Sequence, residues 1–351
     1  MRRDLQRLGS SHFDLVILGG GVYGLAAARE AALRGLSVAL IEKDDFGQHT
    51  SAASLKLIHG GLRYLQHLNF RRMRISIRER SLLLRLAPHL VHPVEFVIPC
   101  TGHAMKGPEV LRLALLANDL ISWDRNRGLS PDHFIPAGRL LSRAECLRRL
   151  PGFRESSISG GVSFCDAQMY NSERLTLAFA TSAVEQGAVL ANRVEATGFE
   201  VRKGRIHAVR AVDQETRQTM DIAGDFFLNM TGPWGGLTSG LLRSAPERRV
   251  LRSKGIQLVT RSISEVGFPI ESRQKDVTAR IRRGGRNYFV TPWRGHSLIG
   301  TTDTLFEGDP DSFAITERDV ADFLAELQSL YPSAGLRRED VRFWIGGLRP
   351  L

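Results

Sequence analysis

The chain has 351 residues, of which 42% are hydrophobic and 24% are charged, and its formal net charge at pH 7 is +11. The length predicts about two domains, the apolar content excludes a disordered chain, and no run approaches the roughly 20 apolar residues of a membrane-spanning helix. Three cysteines without a CxxC pair or metal-ligand spacing argue against a disulfide framework and indicate a reducing compartment.

A strand, a helix and a second strand open the predicted fold. Residues 13–18 form a short apolar run that is typical of a buried parallel strand. Residues 25–34 favour a helix, which Gly35 ends, and residues 37–41 predict the second strand. This order of elements predicts a βαβ unit.

The turn between the first strand and the helix carries a glycine motif, at Gly19, Gly21 and Gly24. The first glycine allows a tight turn, the second lets the backbone approach a pyrophosphate, and the third lets helix and strand pack closely. Glu42 follows the second strand, 18 residues after Gly24, where an acid can accept a hydrogen bond from a ribose 2′-hydroxyl. Together these features predict a dinucleotide-binding site.

Helices and strands alternate along the rest of the chain, and no linker or repeat separates two halves, so we expect two interleaved domains. The predicted helices cover residues 70–86, 108–123, 171–186 and 316–331, with a short helix from a Ser142/Glu145 capping box to Pro151. The predicted strands cover residues 94–99, 188–196 and 225–230, with a hairpin of 278–283 and 286–291 around Gly284-Gly285.

Positive charge is concentrated in three stretches, residues 63–85, 243–254 and 280–286. The first has seven arginines against one acid, Glu79. Basic surface of this kind predicts an anionic partner, which is a phosphorylated substrate, an anionic lipid surface or a nucleic acid. Nucleic acid is disfavoured because the stretches lack interleaved aromatic residues and any reading motif.

Three of these arginines, Arg71, Arg74 and Arg78, recur at helical spacing and predict a solvated or lipid-facing stripe.

Residues 56–65, with the sequence Lys-Leu-Ile-His-Gly-Gly-Leu-Arg-Tyr-Leu, resemble the signature of FAD-dependent, quinone-linked glycerol-3-phosphate dehydrogenases. These enzymes belong to the wider group of D-amino-acid-oxidase-like flavoproteins. Residues 229–234, 300–303 and 347–351 agree in order and spacing, so that the resemblance covers nearly the whole chain. It implies an α/β fold in which a Rossmann-like FAD-binding domain of discontinuous segments carries an inserted antiparallel-sheet α+β substrate domain.

The resemblance also implies domain boundaries. The FAD-binding domain would comprise residues 12–85, 158–242 and 341–351, and the substrate or cap domain residues 86–157 and 243–340. The helical C-terminal domain of the family is absent from these 351 residues. We therefore expect either a fragment or a short protein whose flavin site is open on one side.

By the same resemblance, the cofactor is FAD and no metal is expected. The residues assigned to the cofactor are Gly19, Gly21, Gly24, Glu42, Lys43, Thr50, Ser51, Ser54, Lys56, Leu57, Gly232, Pro233 and Trp234. The residues assigned to substrate and catalysis are Arg63, Arg349, Thr302, Gln257 and His59.

The resemblance gives these five residues different roles. Arg63 would bind the substrate phosphate, for which a guanidinium fork is well suited, or lie beside it, while Arg349 and Thr302 would line the pocket. His59 is either a neighbour of the flavin or a packing residue. Gln257 stands where the family usually has a histidine; it can hydrogen-bond the substrate but cannot act as a base near neutral pH.

The implied reaction is oxidation of sn-glycerol 3-phosphate to dihydroxyacetone phosphate by hydride transfer to flavin, with electrons passed to quinone. The start of the chain lacks the apolar segment of a secretory signal. The resemblance implies a cytoplasmic protein, peripheral on the inner face of the cytoplasmic membrane. Two alternatives stay open. One is a flavoprotein of the same group that acts on another hydroxy acid, polyol or amine, and the other is an inactive truncated remnant.

Overall fold

The computed structural model describes residues 1–100, 107–150, 152–153, 158–242, 250–275 and 285–351, except for the side chains of residues 63, 66, 273–275 and 285–286. The predicted basic stretches around residues 243–249 and 280–284, and the whole first strand of the predicted hairpin, residues 278–283, lie outside these ranges. Among the helices of the described ranges, none combines the length and apolar content that crossing a bilayer requires.

The described residues form three sheets and the helices that pack on them. The strands are β1 (His12–Leu18), β2 (Val38–Ile41), β3 (Leu57–Ile58), β4 (Val91–Cys100), β5 (Arg139–Leu141), β6 (Gly160–Met169), β7 (Val189–Ala191), β8 (Val194–Arg202), β9 (Arg205–Asp213), β10 (Thr219–Asn229), β11 (Arg252–Arg261), β12 (Phe268–Lys275), β13 (Gly285–Trp293), β14 (His296–Gly300), β15 (Thr304–Phe306) and β16 (Val341–Pro350). The helices are α1 (Leu5–Ser10), α2 (Val22–Leu33), α3 (Phe70–Leu86), α4 (Pro108–Ile121), α5 (Arg143–Arg149), α6 (Ser172–Glu185), α7 (Gly235–Gly240) and α8 (Glu317–Leu330).

The first sheet has the strand order β7-β2-β1-β10-β9-β8, with β7, β2, β1 and β10 parallel. Val16 and Leu18 of β1 pack on one face with Leu8 of α1, whereas Ile17 packs on the other face with Leu25 of α2. Both faces of β1 are therefore covered, which explains its continuous apolar sequence. The predicted βαβ unit is confirmed.

Two boundaries in this sheet differ from the prediction. Helix α2 begins at Val22 rather than at residue 25, since the Leu25 N–H already donates to Gly21 O at 3.0 Å. The Val22 N–H, which has no acceptor within the helix, donates to Ser51 Oγ at 2.9 Å. The strand predicted over residues 188–196 is wrong as a single element. Arg193, with φ of 56°, turns the chain there, so that β7 pairs with β2 and β8 forms a hairpin with β9.

The second sheet is antiparallel and runs β12-β13-β14-β11, with β15 continuing the β14 edge and β16 on the other side of β11. Ile256 and Leu258 of β11 pack against Val320 and Phe323 of α8. Strand β16 pairs with β11 along most of its length, so the last segment is hydrogen-bonded within this sheet. The division of the chain into two domains stays a prediction.

The third sheet is also antiparallel and is centred on β6, with β4 on one side and β3 and β5 on the other. A bridge between Phe96 and Gly267 joins it to the strand entering the second sheet. The expected α/β fold with a separate antiparallel sheet is confirmed. The predicted capping box Ser142/Glu145 is formed at the start of α5, and Thr316 and Asp319 form another at the start of α8.

Candidate functional site

Three segments that the sequence assigns to the cofactor meet at one edge of the first sheet. Strands β1, β2 and β10 are parallel and end there, so the residues that follow them come together. The Gly19 N–H donates to Ile41 O at 2.9 Å, and the Met230 N–H donates to Leu18 O at 2.8 Å. The glycine turn, the acid after β2 and the segment 230–234 therefore border one crevice.

The backbone in the glycine turn approaches its neighbours too closely for side chains. A Cβ on Gly19, whose φ is 107°, would lie 2.5 Å from Met230 O, and one on Gly24 would lie 1.9 Å from Gly19 O. Gly21 is the N-cap of α2, and a Cβ there would lie 3.1 Å from Ser51 Oγ. The turn thus forms a bare backbone cradle at the start of α2, where amide groups favour anions.

The Glu42 carboxylate lies against this turn. Its Oε2 accepts from the Gly20 N–H at 2.6 Å, and its Oε1 accepts from the Asp44 N–H at 2.8 Å. Across the crevice, Thr50 Oγ1 donates to Leu348 O at 2.5 Å, which fastens the turn of residues 49–51 to β16. The crevice is consequently bounded by elements of both the first and the second sheet.

An ionic and aromatic cluster closes one end of the crevice. The Lys43 ammonium lies 4.4 Å from the centre of the Trp234 ring and forms an ion pair with Asp311. Trp234 Nε1 also donates to Asp311 Oδ1, at 2.9 Å, and the His49 ring lies 4.7 Å from the Trp234 ring. Partial burial raises the pKa of Asp311, but the bonds from Lys43 and Trp234 outweigh it and lower that pKa overall.

Asp311 was not predicted as a site residue, although it contacts two residues that were, Lys43 and Trp234. The neighbouring Pro233 carbonyl accepts from Arg252 Nε at 2.7 Å, which adds a second connection between this end of the crevice and β11. Gly232, with φ of 54°, opens the short helical turn that holds both Pro233 and Trp234.

Lys56 is buried, with 1% of its surface exposed, and its ammonium group is fully engaged. It donates to Ala52 O at 2.6 Å and Ser172 Oγ at 2.7 Å, and pairs with Glu173 at 3.0 Å. Burial lowers the pKa of Lys56, and Glu173 opposes that shift only in part. The Lys56 side chain anchors the loop that precedes β3, residues 49–56, to the start of α6. Contact between Lys56 and a cofactor stays a prediction.

The two other predicted residues of this loop have local roles. Ser54 Oγ accepts from the Lys56 N–H at 3.2 Å, and Leu57 begins β3, where it pairs with Gln168 of β6.

One face of the second sheet is turned toward this loop. Directly opposite residues of an antiparallel pair point to the same face, and Gly255 of β11 lies opposite Gly347 of β16. A Cβ on Gly347 would lie 2.9 Å from the Cβ of Ala53 and 3.4 Å from the Cα of Thr50. Alternation along the strands puts Gln257 on the same face, which we call the site face.

Three predicted residues, Gln257, Thr302 and Arg349, are joined on the site face by hydrogen bonds. Gln257 Nε2 donates to Thr301 Oγ1 at 3.0 Å, and Thr301 Oγ1 donates to Thr302 O at 3.3 Å. Arg349 Nη2 donates to Thr302 O at 3.1 Å and to Asp303 Oδ1 at 3.0 Å. The Asp303 carboxylate, which was not predicted, therefore balances much of the Arg349 charge.

His59 lies beside a buried carboxylate. Its Nδ1 is 3.6 Å from Asp166 Oδ2, and the other oxygen of Asp166 accepts from the Gly60 N–H at 2.6 Å and from Arg80. Burial raises the pKa of Asp166, but the neighbouring His59 ring and the charge of Arg80 outweigh it, so this pKa is lowered. A Cβ on Gly60 would lie 2.2 Å from Arg80 Nη1, which explains the glycine.

The His59 ring also approaches the site face, since its centre is 6.3 Å from that of Phe289 on β13. Its side chain is 53% exposed, so it is not a buried packing residue. Asp166 and Arg80 were not predicted as site residues. Asp166 lies near His59 because β6, which carries it, is paired with β3, which ends at Ile58. Arg63 belongs to the short helical turn Leu62–His67, and its side chain lies outside the description.

The arrangement combines an anion-binding cradle, a hydrogen-bonding sheet face and a histidine beside a permanent negative charge. Groups of this kind can bind a dinucleotide, orient a polar substrate and accept a proton. Within the described ranges no cluster of three or more His, Cys, Asp or Glu side chains could hold a metal ion.

Comparison with known proteins gives one consistent result. Residues 14–351 match the family model described as FAD dependent oxidoreductase. The chain is 34% identical to a glycerol-3-phosphate dehydrogenase of Synechocystis and 32% identical to an alpha-glycerophosphate oxidase of Streptococcus pyogenes, over 99% and 100% of its length. The solved structure of the glycerol-3-phosphate dehydrogenase from Bacillus halodurans, complexed with FAD, superposes with a TM-score of 0.75 at 26% identity over 98% of this chain.

These similar proteins are all longer. The chain spans 62% of the Synechocystis protein, 56% of the Streptococcus protein and 58% of the Bacillus chain.

Proposed function

The chain belongs to the family of FAD-dependent oxidoreductases, and on that premise we propose that it oxidises sn-glycerol 3-phosphate to dihydroxyacetone phosphate. FAD is its cofactor. The names of the similar dehydrogenase and oxidase support the substrate. The observation that carries the proposal is the placement of His59, with its buried Asp166 partner, beside the face that holds Gln257 and Arg349.

The glycine cradle and the acid beside it fit the pyrophosphate and ribose of FAD. Gly19, Gly21 and Gly24 would leave room for the pyrophosphate at the start of α2, and Glu42 would accept from a ribose hydroxyl. When bound, FAD supplies the hydride acceptor, whereas the protein supplies orientation and charge. Lys43 and Trp234 would close the crevice through Asp311.

We assign the proton-accepting role to His59 Nε2. Asp166 stays ionised because its pKa is lowered, and it faces Nδ1, so the ring keeps its proton on that side. Nε2 is then the acceptor for the hydroxyl proton of the substrate carbinol. Gln257 cannot take this proton. With His59 as the proton acceptor, the reaction does not need a histidine at position 257.

The substrate phosphate is assigned to Arg63 rather than to Arg349. The Asp303 carboxylate lies 3.0 Å from Arg349 Nη2, so a second anion at Arg349 would meet a charge that is already balanced. Arg349 instead holds the Thr302 carbonyl and thereby the sheet edge.

The first experiment is a visible absorption spectrum of the chain reconstituted with FAD, before and after anaerobic sn-glycerol 3-phosphate. Bleaching of the flavin bands by this substrate, at concentrations where glycerol leaves them unchanged, supports the proposal. A bound flavin that glycerol 3-phosphate leaves oxidised would contradict the substrate and favour another hydroxy acid, polyol or amine. A chain that does not retain FAD at all would favour an inactive remnant.

We also propose quinone as the electron acceptor and the inner face of the cytoplasmic membrane as the location. One surface supports the membrane proposal. Four apolar side chains along one side of α4 and just beyond it are strongly exposed: Leu113 (66%), Leu116 (56%), Leu120 (76%) and Trp123 (74%). An exposed apolar stripe that ends in tryptophan suits the boundary between headgroups and acyl chains.

Basic side chains of α3 lie next to this stripe. Arg71 and Arg78 are exposed, whereas Arg74 is half-buried, donating to Ile121 O at 2.9 Å and pairing with Asp124. The expectation that Arg74 belongs to a solvated stripe is therefore wrong, because it joins the two helices. The exposed arginines would contact anionic headgroups while the leucines enter the bilayer.

Sedimentation with vesicles tests this location. The chain should bind vesicles that contain phosphatidylglycerol more tightly than pure phosphatidylcholine, and Leu120→Ser should weaken binding, whereas Leu177→Ser on α6 (46% exposed) should not. Equal loss in both variants would contradict the assigned surface. Reoxidation of the reduced flavin by a short-chain quinone, compared with oxygen, tests the acceptor.

A further inference from the structure

A carboxamide oxygen on the site face has no hydrogen-bond donor among the residues that the structure describes. Gln257 is central in β11 and 3% exposed, and its Oε1 is buried without a partner. Buried polar atoms are nearly always satisfied, because an unpaired one costs the free energy of its lost hydration. The oxygen therefore calls for a donor that the protein does not supply.

The neighbouring hydroxyl fixes which way the amide points. Thr301 has one hydroxyl hydrogen, and it is directed to Thr302 O at 3.3 Å. Thr301 Oγ1 can then only accept from Gln257, so the NH₂ group of the amide faces Thr301, at 3.0 Å, and Oε1 faces away from it. Arg349 holds the same Thr302 carbonyl at 3.1 Å, which keeps this chain of bonds in place.

Gln257 lies in a row of residues that crosses the site face. It is paired with Gly300 of β14, which is paired with Phe289 of β13, and the Phe289 ring adjoins the His59 ring at 6.3 Å. Two strand spacings separate the backbones of Gln257 and Phe289 by about 10 Å. The oxygen thus lies on the sheet floor between the proposed proton acceptor and β16.

From this geometry we infer that Gln257 Oε1 accepts a hydrogen bond from the substrate group next to the reacting carbinol, and so selects a hydroxyl or an ammonium there. The inference rests on the proposed function and narrows its substrate class. A carboxylate at that position offers only acceptors to an oxygen that is also an acceptor, and a methyl leaves Oε1 unpaired. Polyols and amines are accepted, and hydroxy acids are rejected.

The test uses three phosphates of one carbon skeleton: sn-glycerol 3-phosphate, propane-1,2-diol 1-phosphate and glycerate 3-phosphate. They place a hydroxymethyl, a methyl and a carboxylate group next to the carbinol. The rate of anaerobic flavin reduction and its half-saturation concentration are measured for each with the FAD-loaded chain. We expect the hydroxyl compound to be preferred about tenfold or more over the methyl compound, and the carboxylate to react least.

Three variants sharpen the test. Gln257→Leu should bring the hydroxyl and methyl compounds within about twofold of each other, because the acceptor is gone. Gln257→Glu keeps an acceptor oxygen, so it should keep the hydroxyl preference and reject the carboxylate more strongly. Thr301→Val removes the atom that orients the amide, so the NH₂ group can turn to the site and the relative rate with glycerate 3-phosphate should rise.

The outcomes separate this inference from the proposed function. If glycerol 3-phosphate reduces the flavin but Gln257→Leu keeps the full hydroxyl preference, the inference is overturned and the function stands. If only diols or amines without phosphate reduce it, and Gln257→Leu removes their preference, the function is overturned and the acceptor role stands. An FAD titration of the apoprotein provides the remaining control: weaker FAD binding by Gln257→Leu with unchanged preference would assign the oxygen to the cofactor and overturn the inference. No reduction by any of these compounds would overturn both.

Discussion

Replacing Asp166 by asparagine separates the structural and the chemical roles of one buried carboxylate. Asp166 is 5% exposed and neutralises Arg80, which is 3% exposed, while its second oxygen faces His59. Asp166→Asn keeps the shape and an acceptor for the Gly60 N–H but leaves Arg80 buried without its counter-ion. Breaking a buried ion pair on one side costs about 3–5 kcal/mol, so we expect the free energy of unfolding to fall by about that amount.

The same substitution should reduce catalysis beyond its effect on stability. His59 loses the charge that keeps its proton on Nδ1, and loss of an oriented general base lowers rates by about 10²-fold or more. Urea titration measures the free energy of unfolding. The rate of flavin reduction by glycerol 3-phosphate is measured without urea, at a temperature where the variant is folded. Asp221→Asn, at an exposed carboxylate of β10 outside the site, is the matched control.

A double variant makes the reasoning refutable. Asp166→Asn combined with Arg80→Met removes both buried charges, which is often neutral for stability, so most of the lost unfolding free energy should return while the rate stays low. If the free energy of unfolding of the single variant falls by less than about 1 kcal/mol, the Asp166–Arg80 ion pair does not stabilise the fold as inferred. If the double variant recovers activity together with stability, Asp166 has no role at His59.

The pH dependence has a definite sign. The pKa of Asp166 is lowered in the folded chain, so its contribution is present above the unfolded value of about 3.9 and is lost as pH falls through the folded value. Wild-type unfolding free energy should therefore decrease on acidification below about pH 4 more steeply than that of Asp166→Asn. Urea titrations between neutral pH and acid measure this difference.

Three further substitutions test the crevice. Glu42→Ala should weaken FAD binding about 10- to 100-fold in a fluorescence titration, because a charged hydrogen bond is lost, while the exposed Glu30→Ala should not; equal affinities would remove the ribose assignment. Gly24→Ala forces a Cβ to within 1.9 Å of Gly19 O and should lower the free energy of unfolding by about 1–3 kcal/mol, whereas Gly198→Ala, which has open space, is the control; similar losses would contradict the packing argument. Arg63→Ala should raise KM for glycerol 3-phosphate about tenfold or more and leave that for glycerol unchanged; parallel changes would argue against a phosphate contact.

Structural features that depend on residues close together in the sequence were predictable. The glycine turn, its strands and Glu42 are specified within about thirty residues, because a tight turn, a helix start and two buried strands each have a local signature. The same holds for α3, α4, α6 and α8, whose bounds differ from the predicted ones by two residues at most. The family signature of residues 56–65 was also legible as sequence.

Contacts between residues that are distant in the sequence were not predictable. The Ser51 hydroxyl accepts from the first turn of α2 across 29 residues of chain. Asp311, which balances Lys43, has no sequence pattern that distinguishes it from other surface acids. Asp303 lies in a segment that resembles the family, but nothing in the sequence pairs it with Arg349.

The sequence by itself therefore determined the cofactor class and the frame of the crevice, since both depend on local backbone requirements. Only the tertiary structure decided which side chains share the site face, because the register of β11 with β14 and β16 brings Gln257, Thr302 and Arg349 together across more than forty residues of chain. It also decided that Asp166 and Arg80 lie beneath Gly60. A buried charge must be neutralised by whatever the fold brings beside it, and that partner is set by packing rather than by proximity in sequence.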